Sequence, residues 1–120
     1  MLRALLEPRI TKPLFWAAAL FAFVMAVMPH PPHFQHEPGD KIQHITAFAT
    51  LAFLGFYAFP GLKWWKFLLG LSLFGAAIEF IQAVPVLHRD SDVLDWIADT
   101  LAAASVLGLM NWLLPRDRKP

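Results

Sequence analysis

The chain has no cysteine. That absence removes disulfides, thiolate nucleophiles and cysteine metal ligands together, and it leaves redox usage silent about the compartment. An excess of either charge is also missing, since 10 Lys and Arg stand against 9 Asp and Glu. The basic residues form no stripe with aromatics between them, so nucleic acid is not an expected partner. There is no Gly-rich phosphate loop and no Ser-centred nucleophile motif. Nor does a small-residue cleavage site follow the first apolar run, which ends in Met28-Pro29-His30-Pro31-Pro32. The N-terminus therefore reads as an uncleaved first span.

What is present is apolar residue in blocks. The hydrophobic share of 58% exceeds the roughly 45–50% usual for soluble domains, and the blocks approach the length a bilayer demands. The expectation is a single membrane domain over residues 1–120, all-α, folded as a four-transmembrane-helix bundle. Pro13 is expected at the start of the first span, where its missing N–H costs nothing. That span, about 13–28, is only about 24 Å long against a hydrocarbon core of about 30 Å. The second span, about 42–59, follows a helix start near Asp40, expected as N-cap or first-turn carboxylate. The third runs over about 65–84 behind the Trp64-Trp65 pair, of the kind that seats a helix at a membrane surface. The fourth covers about 93–114, and Ala102, Ala103, Ala104, Ser105 and Gly108 offer small residues for close helix contact.

Basic residues divide unevenly. Arg3, Arg9 and Lys12, then Lys63 and Lys66, then Arg116, Arg118 and Lys119 fall in one set of segments, and only Lys41 and Arg89 in the other. The asymmetry predicts both termini cytoplasmic. Under that topology the start of the second span, the end of the third and the start of the fourth share one level, at the outer leaflet.

Ionisable residues collect at that level, and in or beside membrane spans they are costly enough to mark a site. His44 lies one turn beyond Asp40, Glu79 and Gln82 share a face, and Asp92, Asp95 and Asp99 form one stripe. Glu79 sits roughly 9 Å below the end of its span and Asp99 about 6 Å deeper than Asp95, so Glu79 and Asp99 reach similar depth. Two carboxylates there need compensation: one carries a proton, or Arg89, Lys41, His44 or a bound cation neutralises them. Arg89 is the expected counter-ion, because its fork can bridge two carboxylates. The expected ligand-binding set is Asp40, Lys41, His44, Glu79, Gln82, Arg89, Asp95 and Asp99. Glu79, Asp99 and His44 are the candidates for acid or base chemistry.

Metal readings are weaker. His30, His33 and His36 stand about 9 Å apart in the extended geometry their prolines favour, too far for one ion. Glu79, Asp92, Asp95 and Asp99 make a better oxygen set for a hard cation. The sequence assigns neither a metal site nor a cofactor.

Asp40-Lys41-x-x-His44-x-x-x-Phe48, then Glu79-x-x-Gln82, then Arg89 and Asp95-x-x-x-Asp99-Thr100-Leu101 together resemble the VanZ-like family of small bacterial membrane proteins. The resemblance covers about residues 38–110. The family commonly carries Asn or Asp at the position of Asp99, and Gly where this chain has Ala102. It implies a multi-pass protein of the bacterial cytoplasmic (inner) membrane, from a cell-envelope family linked to glycopeptide (teicoplanin) resistance. The resistance itself does not carry over. Three readings stay open: an outward pocket that binds a membrane lipid or lipid-linked envelope precursor without turnover, an intramembrane acid/base enzyme on such a lipid, or a structural subunit. The first is preferred, and a homo-oligomer is compatible with all three.

Overall fold

A computed structural model describes residues 2–28, 38–84 and 93–114, with side chains described from residue 4 onward and, in the second segment, from residue 42. The described residues form five helical segments: a short α1 (Leu2–Leu5), then α2 (Pro8–Val27), α3 (Pro38–Ala58), α4 (Trp64–Gln82) and α5 (Val93–Leu113). Three of them, α2, α4 and α5, are long and apolar enough to cross a membrane. The apolar part of α3, Ile42–Ala58, is shorter.

The first helix begins earlier than the sequence suggests. Pro8 takes the tolerated first-turn position and Pro13 lies inside the helix. Thr11 is buried there, its hydroxyl donating to the carbonyl of Glu7 at 3.1 Å. The 20-residue helix is about 30 Å long, but its added first turns carry Arg9 and Lys12, so the apolar stretch itself is not lengthened. At the other helices the boundaries fall within two to four residues of expectation. Because α3 starts at Pro38, Asp40 stands in its first turn.

Packing pairs α2 with α3 and α4 with α5, and the two hairpins join through α3 against α5. Side-chain contacts fix which ends meet. Phe59, just past α3, has its ring 5.3 Å from Phe15 near the start of α2 and 5.7 Å from Phe67 near the start of α4. At the opposite end Gln82 of α4 reaches Ala26 of α2, and His44 of α3 faces Asp99 of α5. The N-terminal halves of α3 and α5 therefore share an end with the C-terminal turns of α2 and α4.

Two glycines set how closely helices approach. A Cβ on Gly55 would collide with the ring of Phe67, and one on Gly75 would sit 3.2 Å from Trp96 and 3.3 Å from Phe48. The small residues of α5 contribute less than expected. Ala103 is fully buried, but Ser105 is exposed and bonds the carbonyl of Leu101 in its own helix at 2.8 Å. Gly108 has open space where a side chain would project, so it mediates no close contact. The outward faces carry Trp16, Leu20, Phe21, Leu73, Leu101 and Trp112, all exposed. A surface of this kind suits lipid rather than water.

Candidate functional site

Apart from Thr11 near the start of α2, the buried polar residues described gather at one end of the bundle, with His44 and Asp95 partly buried among them. Helix α3 supplies His44, α4 supplies Glu79 and Gln82, and α5 supplies Asp95 and Asp99. One ring nitrogen of His44 and one carboxylate oxygen each of Glu79 and Asp95 lie within 4.8 Å of one another. The Nδ1 of His44 stands 3.9 Å from the Oδ2 of Asp99. Three helices thus bring four ionisable side chains to one point, which repeats at i+3 or i+4 within a single helix cannot do.

Burial selects the inner face sharply. Glu79 is 9% exposed and its neighbour Phe80 is 83% exposed, so α4 turns its carboxylate inward and its aromatic ring outward. That is the orientation demanded by the cost of a lone carboxylate in lipid. Gln82, one turn further, is 2% exposed and Asp99 3%. The Gln82 amide donates to the carbonyl of Ala26 at 2.8 Å, while its Oε1 is buried with no hydrogen-bond partner among the described residues. The Nε2 of His44 is in the same position.

Below this layer lies a second polar layer that the sequence did not disclose. The Trp96 indole donates to the carbonyl of Ser72 at 2.9 Å, and the Ser72 and Thr100 hydroxyls are 3.1 Å apart. Gly75 opens the space for Trp96 to cross between the helices. The signal was present in the spacing: Ser72, Gly75, Glu79 and Gln82 step by three, four and three along one face of α4. On α5, Trp96 and Thr100 are four residues apart in the same way. Serine and threonine are common inside helices as self-bonded hydroxyls, which is why neither stood out.

Two grooves open beside the polar layer. One, of about 530 Å³, runs between α2 and α3, lined by Phe21, Met25, Ala26, Ile42, Ala47 and others, with His44 among them. The other, of about 340 Å³, lies between α4 and α5, where Glu79 meets Phe80, Val93 and Trp96. Each hairpin therefore offers a mainly apolar approach to a different member of the cluster.

The expected site is brought together in its core: His44, Glu79, Asp95 and Asp99 converge, with Gln82 one turn along α4. Asp40 and Lys41 lie in the first turns of α3, but their side chains are outside the described residues, as are Arg89, Asp92 and the loop histidines His30, His33 and His36. No family model, no curated protein and no solved structure matches this chain.

Proposed function

We propose that the protein is a four-span, VanZ-like membrane protein that holds the polar head group of a membrane lipid or lipid-linked envelope precursor at the His44 end of the bundle. One observation carries this reading. His44 lines the apolar groove between α2 and α3 and also stands in the cluster with Glu79, Asp95 and Asp99. An amphiphile with its chain along Phe21, Met25 and Ile42 would present its head to the buried polar groups. The uneven basic residues support an orientation with both termini cytoplasmic and the polar end at the outer leaflet of the bacterial inner membrane.

A second reading rests on the 3.9 Å approach of His44 to Asp99. A histidine beside a carboxylate becomes an oriented general base when the pair closes to hydrogen-bond distance, and their proximity supports an intramembrane acid/base enzyme acting on the same lipid class.

Native mass spectrometry of the detergent-purified chain tests the first reading, with polyprenyl phosphate and phosphatidylglycerol as probes. Wild type should retain one probe lipid, and Glu79→Gln should lose it while accumulating normally in the membrane. Equal retention by both proteins would reject the head-group site. Loss of the protein itself would support a structural subunit. Turnover of the probe by wild type and not by Glu79→Gln would favour the enzyme. Because the chain has no cysteine, single cysteines placed at Lys63 and Ala83 report orientation by impermeant maleimide. Labelling from outside is expected at Ala83 only, and the reverse pattern would invert the topology.

A further inference from the structure

We propose that His44, Glu79 and Asp95 form a binding site for one divalent transition-metal cation of zinc or manganese type, with Asp99 orienting the histidine. Nothing in this inference requires a lipid, so it stands apart from the head-group reading.

The first support is convergence. Three ligand atoms mutually within 4.8 Å all fall within about 2.8 Å of a common centre, and zinc takes histidine nitrogen and carboxylate oxygen at about 2.0–2.2 Å. Closing that gap moves each atom by less than about 1 Å, within the reach of a carboxylate rotation. The three ligands come from three helices, so their meeting belongs to the tertiary structure and not to the spacing of one helix.

The second support does not use the two ligating carboxylates. His44 turns Nδ1 toward Asp99 at 3.9 Å and leaves Nε2 fully buried with no hydrogen-bond partner among the described residues. A histidine that ligates a metal characteristically directs its other nitrogen at a carboxylate, which fixes the tautomer and frees the remaining lone pair for the ion. At 3.9 Å the Nδ1–Asp99 approach is longer than a hydrogen bond, and a rotation of either side chain that shortens it would complete that arrangement. One imidazole with two carboxylates is a borderline donor set, suited to zinc, manganese or iron(II). Three protein ligands also leave a coordination position open for water or a phosphate oxygen. The Oε1 of Gln82, buried, unpartnered among the described residues and one turn beyond Glu79, is an acceptor available to such a water.

The alternative is an imidazolium that neutralises the carboxylates with no metal. Experiments on the full chain in detergent separate the two. A variant with His30, His33, His36 and His88 all replaced by Ala keeps His44 as its sole histidine, five being present in all, provided any affinity tag is removed. After chelator treatment and dialysis, this variant should bind one Zn²⁺ per chain by elemental analysis. Loaded with Mn²⁺, it should show imidazole-nitrogen coupling in pulsed electron paramagnetic resonance. Glu79→Gln and Asp95→Asn should each weaken binding by at least about 100-fold, and Asp99→Asn by about 10–100-fold, the range for a partner behind the ligand. Sub-stoichiometric binding in the sole-histidine variant, or a bound Mn²⁺ without nitrogen coupling, overturns the proposal. So does undiminished affinity in Glu79→Gln. Should the carboxylate variants fail to fold, the nitrogen coupling in the folded sole-histidine protein still decides.

Discussion

The two ends of the bundle solve opposite problems. At the α3–α4 turn the rings of Phe15, Phe59 and Phe67 lie 5.3 to 5.7 Å apart around a contact that only Gly55 permits. The same three rings also line an apolar groove of about 330 Å³. At the other end Glu79, Gln82 and Asp99 are buried, with His44 and Asp95 partly buried beside them, and His44 Nε2 and Gln82 Oε1 have no hydrogen-bond partner among the described residues. Close packing is what holds helices together in lipid, where apolar burial by itself drives nothing. Buried polar groups add stability only when satisfied. The difference separates two kinds of contact: ring packing at the aromatic end, and at the polar end the groups on which the head-group and metal proposals above rest.

Substitutions at each end test that separation. The largest loss is expected from Gly55→Leu. Its side chain would displace Phe67 from the ring cluster, at the upper end of overpacking costs, about 3 kcal/mol. Thermal unfolding in detergent should show it, with binding at the polar end unchanged in the surviving folded protein. Reduced lipid or metal affinity at temperatures where the variant is folded would break the division. Gln82→Ala should cost about 1–3 kcal/mol, because it strands the Ala26 carbonyl in an apolar setting. A neutral result by the same assay would mean that water reaches that carbonyl. Ser105→Ala removes only a bond to its own helix on an exposed face, and the change should stay within about 0.5 kcal/mol. A larger loss would place Ser105 in an interface between copies of the chain.

Helix order, length and the inward direction of Glu79, Gln82, Asp95 and Asp99 were legible because lipid imposes one rule on every position. An apolar block must be a helix, and an acid within it must turn away from lipid. The start of α2 was misjudged for the same reason: Pro13 marked the edge of the apolar block, but the helix itself begins among polar residues, at Pro8. Gly75 and Gly55 could not be assigned roles in advance, since a glycine's close approach depends on which ring arrives opposite it. The same holds for Trp96, whose indole bonds the backbone of Ser72. Gly108 was expected to bring helices together, and the open space above it shows that small size permits a contact without producing one.

The bond from Gln82 to the carbonyl of Ala26 spans 56 residues of chain and bears on the order of assembly. Ala26 is among the last four residues of α2, where carbonyls lack an N–H donor from a following turn of the helix. Its cap arrives only with the final turn of α4. During synthesis α2 and α3 would emerge and insert first, with that carbonyl served by water or by the insertion machinery. The hairpin of α2 and α3 is therefore not a finished unit, and a chain stopped at about residue 63 should remain protease-sensitive near the end of α2 until α4 is supplied.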